Sequence, residues 1–123
     1  MALAGCQSAK PEPQAEAASG KSASLRVMEQ VATQAYQCWF ASKDPAFKPY
    51  GFANELNSFS GQPRFLLVPA KNFGGRPLLV VQAQGASSRV ETFGPLLDET
   101  LGGRITSDVN RWSAGGTGCG AAA

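Results

Sequence analysis

The sequence predicts an α+β domain: a long N-terminal helix packed on a three- or four-stranded antiparallel β-meander, closed by a short C-terminal helix. Three observations predict it. Apolar residues recur at spacings of three and four between Leu25 and Trp39, the period of a helix with one buried face. Three β-rich runs follow between positions 64 and 93, joined by glycine-bearing loops too short for crossover helices. Helical spacing then returns at Ile105, Val109 and Trp112. Residues 24–119 form a single domain on this reading, within the usual size for one modest core.

The elements follow in order. Residues 7–23 are rich in Ala, Ser, Pro, Gln and Glu and hold no large apolar side chain. Such a segment cannot bury enough surface to offset the entropy of ordering, so it reads as a disordered tether. Ser24 is the expected N-cap of the first helix. Leu25, Met28, Ala32, Ala35 and Trp39 form its stripe, widened by Val27, Val31 and Cys38, with Lys43 in its last turn and Pro45 ending it. Residues 47–61 are dense in Pro, Gly and aromatics. Phe52, Leu56 and Phe59 suit a short helix there, but Asn54, Asn57 and Ser58 dilute the pattern, and a loop or an edge strand fits as well.

The strands are expected at 64–68, 77–83 and 88–93, the third with Val90 and Thr92 facing away from Arg89 and Glu91. Residues 95–101 suit a helical turn ended by Gly102 and Gly103, and residues 104–113 a second helix. The glycine- and alanine-rich stretch 114–123 is expected to be disordered unless something pins it, with 120–123 a free tail. The aromatics Trp39, Phe40, Tyr50, Phe52, Phe59 and Trp112 are the expected core where helix meets sheet. An exposed subset would point instead to a protein-binding patch.

Composition narrows function mainly by exclusion. Eleven basic and nine acidic residues leave a net charge of +2, too small a footprint for nucleic-acid binding. The chain has no histidine, which removes the commonest general base and metal ligand. Neither a metal nor a cofactor is expected. Gly20-Lys21-Ser22 ends like a phosphate-binding P-loop, but position 15 is alanine where that motif needs glycine. Asp98 and Glu99 are neighbours that would not face one another on a helix. No catalytic constellation emerges, and the chain is expected not to be an enzyme.

The most informative stretch is Leu3-Ala4-Gly5-Cys6. It resembles the lipobox of bacterial lipoproteins, in which small residues end an apolar signal segment just before a cysteine. The resemblance implies that Cys6 is acylated and becomes the mature N-terminus, with Leu3, Ala4 and Gly5 as recognition positions. Residues 1–23 are then a lipobox remnant and a tether that stands the domain off the membrane. Gln7 directly after the cysteine, where aspartate favours inner-membrane retention, resembles the outer-membrane sorting pattern.

That setting bears on the other cysteines. With Cys6 set aside, Cys38 and Cys119 remain, and an even remainder in an oxidising compartment suggests a disulfide. The alternative is a core Cys38 and a free thiol at Cys119. A bridge would close a loop of about 80 residues and restrict the unfolded chain by roughly 4 kcal/mol. Arg64, Arg76 and Arg89 lie near the starts of three consecutive strands. If two of them cluster, they would suit an anionic envelope component such as a phosphate or a carboxylate; otherwise they are ordinary surface charge.

The expected function is that of a non-enzymatic envelope lipoprotein, anchored through Cys6 and facing the periplasm. Its partner would be another envelope protein or cell-wall polymer. The alternative is a periplasmic inhibitor of a cell-wall-degrading enzyme, using a protruding loop such as residues 71–76 to plug a cleft.

Overall fold

A computed structural model of the chain describes residues 21–57 and 61–120. Helix α1 (Ala23–Ala35) starts at Ser22, whose Oγ accepts from the Leu25 N–H at 3.1 Å. The cap therefore falls two residues before the expected Ser24. Ser24 is buried inside the first turn, and its hydroxyl donates to the Gly85 carbonyl at 2.6 Å, tying the helix to the loop after β3. Met28, Val31, Ala32 and Ala35 form the buried stripe.

Beyond Ala35 the chain winds on as a π segment (Tyr36–Ala41), marked at its end by the Ser42 N–H donating to the Gln37 carbonyl at 3.1 Å. The wider turn brings three consecutive side chains toward the core. Cys38 and Trp39 are buried, and Phe40 packs against the core with one side to solvent. Lys43 is not in a last helical turn, as expected, but just outside it, with φ at +62°. Its N–H closes the end of the winding on the Phe40 carbonyl at 2.9 Å. Asp44 then caps a 3-10 turn (Pro45–Phe47) through its side chain.

The ambiguous stretch resolves as an edge strand. Strand β1 (Tyr50–Glu55) pairs with β2 (Arg64–Pro69), which pairs with β3 (Leu79–Gln82), which pairs with β4 (Glu91–Phe93). All three pairings are antiparallel between sequence neighbours, so the sheet is a four-stranded meander. β3 and β4 are shorter than the runs that predict them. A 3-10 turn (Pro95–Asp98) leads to α2 (Gly102–Ser113). Gly102 belongs to this helix rather than stopping the preceding turn, and a Cβ there would overlap the Leu97 carbonyl.

Register decides which face meets the helices. Phe52, Leu67 and Leu79 align across the sheet, as do Phe65 and Val81, and these residues join Met28, Trp39, Ile105, Val109 and Trp112 in one core. Phe47 and Phe65, absent from the expected aromatic core, are as buried as the two tryptophans. Phe59 lies outside the described residues. On the other face, Ala53, Leu66, Val80 and Phe93 form one row, and Glu55, Arg64, Gln82 and Glu91 the next.

The Cys38–Cys119 disulfide is formed and holds the C-terminal stretch against the helices. Residues 114–120 are pinned as well by hydrogen bonds. Trp112 Nε1 and Arg111 both donate to the Gly118 carbonyl, the Gly118 N–H donates to Gln34, and Gln30 donates to the Gly116 carbonyl at 2.7 Å.

Candidate functional site

Three irregularities meet where α1 gives way to the sheet: the π segment, the left-handed Lys43 and a cleft beside them. Buried polar chemistry explains the inner side of this region. The Trp39 indole donates to Asp108 Oδ2 at 2.9 Å, and Arg111 donates to Oδ1 of the same carboxylate at 2.9 Å. Arg104 lies 3.5 Å from that carboxylate and 2.7 Å from Asp44. Asp108 is only 4% exposed, and these partners satisfy both of its carboxylate oxygens in place of water. The same Arg104 sits 5.2 Å over the Phe47 ring, which stacks on Trp39 with centroids 4.8 Å apart. Asp44 is held below its ordinary value of 3.8, first by the Ala46 N–H donating to it and then by Arg104.

The outer side is arranged differently. A cleft of about 390 Å³ opens between Phe40, Phe47, Tyr50, Lys43 and Lys48. Its floor is aromatic and its rim is cationic. Among the described residues, neither Lys43 nor Lys48 has a carboxylate partner, while the one acid at the rim, Asp44, is already neutralised by Arg104. A second hollow of about 370 Å³ lies further along β1, between Thr33, Tyr36 and Gln37 of the helical winding and Phe52, Asn54 and Leu56. The Tyr36, Phe40 and Phe52 rings, with centroids 5.6–6.4 Å apart, separate the two hollows. Tyr36 is half exposed, at 50%.

The residues singled out from the sequence distribute otherwise. Cys6 lies outside the described residues. Cys38 and Cys119 are joined, as one of the two sequence readings expects. The three arginines do not meet. Arg64 and Arg89 share one end of the sheet, because Arg64 aligns with Gln82 and Gln82 with Glu91, two residues past Arg89. Arg76 is in the β2–β3 loop at the opposite end. Arg64 is moreover bound to Glu55 at 2.8 Å. The loop holding Lys71 and Arg76 turns back on the sheet, and the Phe73 ring occupies the space that a Cβ at Gly51 would need.

Sequence reasoning passed over Asp108, Lys43 and Lys48. A signal for Asp108 was present, since a carboxylate in the i+3 slot of the Ile105–Val109–Trp112 stripe must be buried or break the pattern. Lys43 and Lys48 carried no comparable signal. Comparisons of the chain with protein-family models, with curated proteins and with solved structures find no match.

Proposed function

We propose that this chain is a non-enzymatic envelope lipoprotein, anchored through an acylated Cys6 in the outer membrane and presenting its domain in the periplasm. The observation that carries the reading is the Cys38–Cys119 bridge. Disulfides persist in oxidising compartments and are rare where thiol-reducing systems operate. The bridge supports export, and the lipobox resemblance at Leu3-Ala4-Gly5-Cys6 supplies a route to it. The polar composition of residues 7–20 suits a spacer between membrane and domain. The partner on this reading is another envelope protein or cell-wall polymer. A role as an enzyme inhibitor is a second reading, with the exposed 71–76 loop and its 57% exposed Phe73, one edge of whose ring rests on Gly51, as the element to plug a cleft.

The test is the intact mass of the protein from the membrane fraction of its native host, with and without reductant. An acylated N-terminal Cys6 and a gain of two hydrogens on reduction are expected. An unmodified Met1 in the soluble fraction overturns the anchor and the localisation together.

A further inference from the structure

Lys43 is the only non-glycine residue with positive φ among the described residues. At this position after a helix, glycine is the favoured residue, because a Cβ in the left-handed region crowds the neighbouring carbonyl. The chain places a lysine there instead, and its side chain lines the rim of the aromatic cleft. A non-glycine residue kept in this sparsely populated conformation is a starting point for a functional hypothesis. Lys48 lines the same rim, and both ammonium groups lack an acidic partner among the described residues.

The cleft also has a direction. One of its walls is Tyr50, the first residue of β1, and β1 is an edge strand. Its outer N–H and C=O groups have no strand partner among the described residues. The second hollow lies further along the same strand at Phe52, Asn54 and Leu56. Tyr50, Phe52 and Asn54 share one face of the strand, so alternate side chains of an added strand would pass over both hollows.

We infer that the cleft binds the carboxyl-terminal residue of an extended peptide. Its apolar side chain lies on Phe40 and Tyr50, and its terminal carboxylate sits between Lys43 and Lys48. Because β1 runs away from the cleft, a peptide whose carboxyl end occupies the cleft lies antiparallel to β1, the better-paired orientation. Main-chain hydrogen bonds along the edge supply affinity, and the two hollows select side chains. This rests on reading the domain as a presented binding module and names the chemistry of its partner. The anchor itself is irrelevant to the test.

The test titrates the full chain, ¹⁵N-labelled and oxidised, with acetyl-Ala-Val-Thr-Val-Phe, its carboxamide, and acetylphenylalanine, following amide shifts. The free-acid pentapeptide should shift Phe40, Lys43, Lys48 and the length of β1, and bind about tenfold more tightly than the amide, the difference expected when its charge-assisted contacts to the two lysines are each weakened severalfold. Acetylphenylalanine should shift the cleft alone and bind more weakly. Lys43→Gln and Lys48→Gln should each weaken the free acid severalfold and leave the amide unchanged. Lys43→Gly should weaken binding equally while raising the thermal midpoint, which separates loss of the cation from loss of the fold. Equal binding of acid and amide overturns the carboxylate assignment. Equal binding of acetylphenylalanine and the pentapeptide overturns the peptide assignment. Shifts elsewhere on the domain, or none at millimolar peptide, overturn both.

Discussion

The two sides of the π segment are treated in opposite ways by the rest of the chain. On the inner side, from Cys38 and Trp39 to the C-terminal stretch, polar groups are spent on the protein itself. Asp108 serves Trp39, Arg111 and Arg104, while Gly118 is held through both its N–H and its carbonyl. On the outer side, at Lys43 and Lys48, two cations face an aromatic floor without acidic partners among the described residues. Groups that the fold uses to hold itself together are buried and, apart from Arg111 Nε, hydrogen-bonded to one another. Lys43 and Lys48 are exposed and held only by solvent, so a ligand in the hollow can take them without breaking a contact of the fold.

If that contrast is right, the inner side should be where substitutions cost most. The largest effect is expected from the disulfide. Cys38→Ser with Cys119→Ser releases a link across 81 residues, and a loss of up to roughly 4 kcal/mol is expected in urea unfolding of the oxidised protein against the double variant. Hydrogen exchange at Gly116 and Gly118 should accelerate more than at β2. If stability hardly changes, the hydrogen bonds that Gln30 and Trp112 donate and Gln34 accepts are holding the C-terminal stretch unaided.

Next comes Asp108. Asp108→Ala leaves the Trp39 indole buried without an acceptor and sets Arg104 and Arg111 free of their shared carboxylate. Breaking a buried pair from one side costs about 3 kcal/mol or more, and the partial exposure of both arginines places this site at the lower end. Asp108→Asn keeps an acceptor for Trp39 and should lose about half as much. Equal losses in the two variants would show that charge, rather than the indole hydrogen bond, dominates.

How far such features can be read from the sequence depends on whether local pattern or tertiary context creates them. The meander was legible because 64–68, 77–83 and 88–93 are β-rich and tightly joined, and the second helix because Ile105, Val109 and Trp112 keep their period. β1 was not, because Phe52 and Leu56 suit a helix as well as a strand, and only pairing with β2 decides between them. The π segment is hidden for a similar reason, since one extra residue per turn barely disturbs a stripe as wide as Val31 to Trp39. The cleft was illegible altogether. Lys43 and Lys48 look like ordinary solvated lysines until the winding ends between them and the aromatic floor. The cysteine pair, by contrast, was legible from its parity together with the oxidising compartment that the lipobox resemblance implies.

A smaller effect is expected at Asp44, which joins the two sides through Arg104. Its carboxyl is held below its ordinary value by the Ala46 N–H and by Arg104, so the folded state favours the ionised form. The resulting stability is fully present above the unfolded value near 3.8 and is lost as pH falls through the lower folded value. Asp44→Ala should cost about 1 kcal/mol at neutral pH, mainly as a lost cap, because the ion pair is partly exposed. The difference between wild type and variant should shrink below pH 4 in acid-unfolding curves. A difference that persists to pH 2 would mean that Asp44 acts by packing rather than by charge.

The smallest effect is the one whose sign matters most. Lys43→Gly relieves a Cβ held at φ +62°. The relief is worth about 1 kcal/mol or slightly more, against a few tenths to about 1 kcal/mol for the extra freedom that glycine gives the unfolded chain. The net is a gain of a few tenths of a kcal/mol, visible as a small rise in thermal midpoint. Every change above destabilises because it removes something that the fold uses. This one should stabilise, because the lysine side chain contributes nothing to the fold that glycine's backbone freedom does not exceed. A fall in midpoint would show that Lys43 packs usefully on the aromatic floor, and the distinction between a self-satisfied inner side and an unspent outer side would lose its sharpest support.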